Sequence, residues 1–215
     1  MYNYMPKYIS RRNFLTLSTS TILLGLVPRF SYANVIREIH GKIWVNNVLA
    51  TQDTIIKPGD IIKTGANSQI IFVIGEDVYK LGARSTLRLR YNSKSNNRFI
   101  NAMRLITGTF TGAFGKGKKI IQTPTATLGI RGTGIFLNVE PNNTYFCTCY
   151  GETEIYTGDG TNRQIVNTIH HEAYSISRDN QDIRISSDTM KHHTDEDAHH
   201  LESFVGRKPP HSFLN

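Results

Sequence analysis

A chain of 215 residues with 39% hydrophobic content has room for one ordinary domain plus appendages, and its regularly placed Val, Ile, Tyr and Phe exclude a wholly disordered chain. The formal net charge of +8 shrinks on inspection: four of the 25 basic residues (Lys7, Arg11, Arg12, Arg29) lie within 1–33 beside no acid, which leaves 21 against 17 acidic residues. An excess of about +4 without a clustered basic stripe gives no footprint for nucleic acid, and the densest group, Lys116, Lys118 and Lys119, reads as a solvated loop.

Residues 1–33 read as an export signal. Ser10-Arg11-Arg12-Asn13-Phe14-Leu15 gives a charged start, a mildly apolar stretch runs to Val27, and Ser31-Tyr32-Ala33 supplies a small-x-small end. The paired arginines before x-Phe-Leu resemble a twin-arginine signal, which implies export of a folded protein to the periplasm. The apolar run is too short and too rich in Ser and Thr for a comfortable membrane span, so no stable span is expected in the mature chain.

From Val35 onward the pattern is strand, turn, strand. Apolar and β-branched runs fall at Lys42–Val45, Thr54–Ile56, Ile61–Ile62, Gln69–Ile74, Val78–Leu81, Thr86–Tyr91, Ala102–Ile106 and Lys119–Gln122. Breaks such as Pro58-Gly59-Asp60 and Gly75-Glu76-Asp77 separate them. Ser93–Arg98 reads as a polar loop. Glu140-Pro141-Asn142-Asn143 reads as a turn joining strands Gly134–Val139 and Thr144–Tyr150. Short strands between frequent turns predict an all-β fold, sandwich- or solenoid-like. Further strands are expected over 158–187, and a His-rich tail over 188–215. Within that tail Asp195–Val205 predicts a short helix with Ala198, Leu201 and Val205 on one stripe, ended by Gly206 and Pro209-Pro210.

Several segments, in order, resemble the FecR domain family over residues 38–157. Gly41-Lys-Ile-Trp-Val-Asn-Asn47 is similar to its opening strand, and Gly59-Asp-Ile-Ile-Lys-Thr-Gly65 to its Gly-Asp-x-x-x-Thr-Gly element. Ser68-Gln-Ile-Ile-Phe72 and Leu81-Gly-Ala-Arg-Ser-Thr-Leu-Arg-Leu89 look like the following strands. Leu105-Ile-Thr-Gly108 matches its Leu-x-x-Gly step. Thr123-Pro124 through Arg131-Gly132-Thr133 is similar to its Thr-Pro…Arg-Gly-Thr signature, and Tyr150-Gly-Glu-Thr-Glu-Ile155 to its closing segment. The resemblance implies a non-enzymatic periplasmic binding or sensing module in signalling, with an unidentified periplasmic or membrane protein as partner. The family plan includes a cytoplasmic anti-sigma segment ahead of the domain; residues 1–33 read as an export signal instead, so direct control of a sigma factor is not expected.

Cys147 and Cys149 are the only cysteines, and on a strand positions i and i+2 face the same side. Their Cα atoms would stand ~6.5–7 Å apart, near the limit for a disulfide but suited to gripping a soft metal. Seven of the eight histidines lie at or beyond His170. Cys147 and Cys149 with one or more of His170, His171 and His193 would make a site for zinc or copper. A strained disulfide, or free thiols beside a solvated tail, are the other readings of the same residues. His193, Glu196 and His200 would share a helix face. The acids Asp195-Glu196-Asp197 read as a helix start. Gly112–Lys118 imitates a P-loop but has Lys119 where Ser or Thr belongs, and no hydrolase or zinc-protease motif is present. No catalytic residue is nominated. The expectation is an exported interaction module, or alternatively a metal-binding periplasmic protein.

Overall fold

In a computed structural model of the chain, the described residues are 34–90, 102–158, 162–180 and 182–210. The segment 1–33, expected as an export signal, the segment Ser93–Arg98, expected as a polar loop, and His211 lie outside them. Among the described residues the protein is all-β with one short C-terminal helix. Fourteen strands run in chain order: β1 (Val35–His40), β2 (Ile43–Val45), β3 (Val48–Leu49), β4 (Ile61–Thr64), β5 (Gln69–Ile74), β6 (Asp77–Leu81), β7 (Thr86–Arg90), β8 (Ala102–Ala113), β9 (Lys118–Gln122), β10 (Thr127–Val139), β11 (Asn143–Thr157), β12 (Asn162–Thr168), β13 (Glu172–Asp179) and β14 (Asp182–Asp188). Helix α1 (Asp195–Ser203) follows. Thr54–Ile56, expected as a strand, forms a loop, although Ile56 still inserts into the core.

Three long strands, β8, β10 and β11, organise the fold because each changes partners midway. The first half of β8 pairs with β7 and β9, and its second half with β6 and β10. Strand β10 pairs first with β9 and then with β8. Strand β11 meets β13 over Asn143–Thr148 and β12 over Gly151–Thr157. One hydrogen-bonded network thus supplies two faces to a common core. Ile70, Phe72, Tyr79 and Leu137 from one part, and Ile43, Ile62, Leu87 and Leu128 from the other, join a single buried cluster. Val166, Tyr174 and Ile176 belong to it too, so the strands after 157 share this core.

The change of partners requires a bend. In β10 and β11 it falls where Gly132 and Gly151 take φ of +61° and +90°. The register slips there, with Gly132 and Thr133 of β10 opposed by Gly151 alone. This is the two-against-one count of a β-bulge, and the left-handed backbone favours glycine. Thr133 Oγ1 closes the bend by donating to Arg131 O (2.9 Å) and Glu152 O (3.0 Å).

The other residues that carry the FecR resemblance also serve the scaffold. Asp60 accepts from the Lys57 amide and the Asn46 side chain, both at 2.7 Å. Thr64 takes the Ser85 amide at 2.8 Å, and Ser85 Oγ donates to Thr109 O at 3.1 Å. The lysine cluster needs one correction. Lys116 and Lys118 are exposed, but Lys119 is buried and pairs with buried Asp77 at 3.2 Å. As strand β9 alternates, its side chain is turned inward toward that carboxylate.

Residues beyond β14 fold back over the sheet. Leu201 and Val205 join Ile71, Val73, Val78 and Ala113 in a cluster on the face opposite the main core, and Ala198 joins a further cluster that holds Phe136, Tyr145 and the two cysteines. The acidic first turn, Asp195, Glu196 and Asp197, suits the helix dipole. Thr194 N–H donates to Asp197 Oδ2 at 3.1 Å, and Lys80 pairs with Asp197 at 2.6 Å. Gly206, with φ +66°, follows the helix end.

Candidate metal centre

Strand β11 alternates, so Phe146 enters the main core while Tyr145, Cys147 and Cys149 face the other way, toward α1. A second register irregularity lies here. Thr148 pairs with Ile135 and Tyr150 with Gly134, which leaves Cys149 with no opposite number on β10. On its other edge β11 passes from β13 to β12 at the same point. The connection between those strands, Ile169-His170-His171, therefore arrives beside the thiols, and His171 N–H donates to Cys149 O at 2.9 Å. His171 holds a left-handed φ of +34°, uncommon for a residue with a Cβ, which marks a constrained corner.

His193 comes from the opposite direction, one residue before the N-cap of α1. Its ring stacks on Phe136 with centroids 4.5 Å apart and planes 7° from parallel. Phe136 is the β10 partner of Cys147, so the stack brings the imidazole over the thiols. One donor atom from each of Cys147, Cys149, His171 and His193 falls in a group whose members all lie within 4.8 Å of one another. Cys147 Sγ is 3.5 Å from His171 Nδ1, which is 3.3 Å from His193 Nε2. Both cysteines are free and buried.

The outward nitrogens of both imidazoles are committed. His193 Nδ1 donates to Lys191 O at 2.8 Å, since a carbonyl only accepts. His171 Nε2 likewise donates to Asp195 Oδ1 at 2.7 Å. Each ring thus turns its other nitrogen toward the sulfurs. Metal-binding histidines are held in this way, with carbonyl or carboxylate fixing tautomer and orientation from outside.

The electrostatics fit two thiols and two imidazoles sharing a small space. The hydrogen bond from the Cys149 thiol does most to hold Cys147 well below the usual thiol range, against burial, with help from His171 and His193. The same bond and burial push Cys149 well up. Burial lowers the His171 pKa, but its contacts with Cys147 and Asp195 outweigh that and leave it raised. These shifts favour ionisation of Cys147 ahead of Cys149 and proton retention on His171.

Of the five residues named from the sequence, the structure brings together Cys147, Cys149, His171 and His193. His170 lies outside this group, its Nε2 3.1 Å from Asp195 Oδ2 on the exposed side. His200 turns away from His193 to Glu38 at 2.8 Å. Sequence reasoning missed Asp195 as the carboxylate behind His171; only its place two residues after His193 hinted at it. Phe136 gave no signal.

No family model matches the chain, and no curated protein matches it. Among solved structures, two crystal structures of a candidate anti-sigma factor from Parabacteroides distasonis ATCC 8503, at 1.65 and 2.50 Å resolution, align with a TM-score of 0.48 and 14% identity. Each alignment covers 59% of this chain and 59% of that one, so the chain spans less than two thirds of the length of the structures it is similar to.

Proposed function

We propose that this is an exported, non-enzymatic β module that binds a transition metal, zinc or copper, through Cys147, Cys149, His171 and His193. The observation that carries the reading is the convergence of four donor atoms within 4.8 Å, two of them ring nitrogens whose partners on the far side are already engaged. Two thiols and two imidazoles form a donor set chosen by zinc and copper over magnesium or calcium. The four donors come from three separate chain segments, which a chance surface cluster would not explain. The FecR-like motif residues are occupied with turns and bends, which supports a scaffold that presents a surface to another protein. Its partner would be a periplasmic or membrane protein, and the twin-arginine-like signal would deliver the folded, metal-loaded domain. Among the described residues no helix is long and apolar enough to cross a membrane. The test is reconstitution of untagged, metal-free protein with Zn²⁺ and with Cu⁺ under reducing conditions. Binding of one ion per chain, lost in Cys147→Ser, supports the reading; no binding of either ion rejects it.

A further inference from the structure

We infer that the centre is a zinc clasp, in which one Zn²⁺ uses all four donors and its binding is the same equilibrium as the docking of residues 189–195 on β11. This rests on the metal-binding reading above and adds the ion and its mechanical consequence. The choice of ion follows from charge and donor number. The four side chains are buried or nearly so, with Cys147 and Cys149 at 0% and 2% exposure and His193 at 8%. Two thiolates bring a charge of −2 into this space, and an uncompensated buried charge is costly. A divalent ion cancels it, whereas Cu⁺ leaves one negative charge behind. Two sulfurs and two nitrogens also complete the closed tetrahedral shell of structural zinc. Copper(I), drawn by the soft thiolates, has no comparable need of the imidazoles.

The clasp follows from where the groups originate. Cys147 and Cys149 belong to β11, and His171 to the β12–β13 corner. His193, and the Asp195 carboxylate that orients His171, both belong to the segment after β14. A metal ion therefore ties that segment to the sheet. Its other ties near the site are side-chain contacts with Tyr145, Phe136 and His170: Lys191 Nζ lies 4.9 Å over the Tyr145 ring, the His192 ring meets Phe136 and Tyr145, and Asp195 Oδ2 is 3.1 Å from His170 Nε2. Tyr145 Oη donates to Thr189 O at 3.1 Å and accepts from Lys191 N–H at 3.0 Å, and His193 stacks on Phe136. Helix α1 has its own anchors in Leu201 and the Lys80–Asp197 pair, and the turn after it in Val205. Removal of zinc should therefore loosen 189–195 and leave the helix seated. By reciprocity, whatever detaches 189–195 weakens zinc binding by the same factor.

The experiment uses the untagged full chain. Zinc affinity is measured by competition with a chromophoric chelator, coordination by Co²⁺ absorption, and backbone opening by hydrogen exchange with and without Zn²⁺. The expected result is one tetrahedral ion per chain and zinc-dependent protection over 189–195, with little change over 201–205. His193→Ala should lose zinc affinity by about 100-fold or more while keeping its copper(I) affinity. Asp195→Asn should lose about 10–100-fold, as outer partners of ligating histidines do. Unchanged exchange in the core strands of both variants shows that they fold. If zinc binds but 189–195 exchanges identically with and without it, or if His193→Ala binds zinc like the parent, the clasp is wrong while the metal-binding reading stands. If no ion binds, that reading falls and the clasp falls with it.

Discussion

Valine at position 132 should destabilise the domain through backbone conformation alone. Gly132 has φ +61°, and a Cβ built there meets nothing within 4 Å. The cost is thus the left-handed penalty for an L-residue, ~1–2 kcal/mol, with a β-branched side chain at the upper end. Across the bend, Gly151 has φ +90°, and a Cβ there would lie 2.8 Å from Gly132 O and from Thr133 Oγ1. Gly151→Val therefore adds overpacking against backbone to the strain, for a total above about 3 kcal/mol. Asparagine tolerates the left-handed region, so Gly132→Asn should recover most of the loss. Urea unfolding followed by Trp fluorescence and circular dichroism measures all three. With a slope of ~2–3 kcal/mol per M, Gly132→Val shifts the midpoint by about 0.5 M and Gly151→Val by more than about 1 M. An unchanged midpoint for Gly132→Val, or Gly132→Asn falling as far as Gly132→Val, would refute the conformational argument.

Other predictions follow from the same geometry. Lys119→Ala removes the counter-charge of the buried Asp77 carboxylate, which keeps only the Gly115 amide (3.0 Å) and the Tyr79 hydroxyl (3.3 Å), and should cost up to ~3–5 kcal/mol in the same unfolding assay; a loss under about 1 kcal/mol would mean the pair is solvated. In metal-free protein Cys147 titrates well below the usual thiol range and Cys149 well above it, so absorbance at 240 nm should report about one thiolate per chain at pH 7. Zinc binding should then release about one proton, from Cys149, above the raised pKa of His171 and about two below it, so affinity weakens as pH falls. Isothermal titration in buffers of different ionisation enthalpy counts these protons, and a pH-independent affinity contradicts the assignment. Arg11→Lys with Arg12→Lys should leave precursor in the cytoplasm on fractionation; normal export in a strain lacking the twin-arginine translocase would exclude that route.

The strand pattern was legible where alternation and turn residues agree. Gln69–Ile74 is a strand with the bounds the sequence suggests, and Ala198, Leu201 and Val205 are the buried stripe of the helix region. The long strands were harder to see because the expected runs Ala102–Ile106 and Thr144–Tyr150 stop short of Gly108 and Gly151, and Gly134–Val139 starts after Gly132, whereas in the fold these positive-φ glycines lie inside continuous strands. Thr54–Ile56 has strand-like residues but no neighbouring strand to pair with. Lys119 looked solvated because its partner Asp77 is 42 positions away, and charge pairing at that distance leaves no local pattern. For the site, same-side placement of Cys147 and Cys149 follows from strand period, and the histidine excess pointed to the right region of the chain. Which histidines meet the thiols depends on the partner change of β11 and on the Phe136 stack, and neither is encoded near the histidines themselves. Asp195 is hidden for the same reason, since an acid opening a helix has a sufficient local explanation.

The most direct measurement is elemental analysis of the protein, purified untagged from cells without chelator, beside its Cys147→Ser variant. The account predicts one zinc per chain in the parent and none in the variant. A folded parent free of zinc and of any other transition metal, with both thiols titratable, would contradict it.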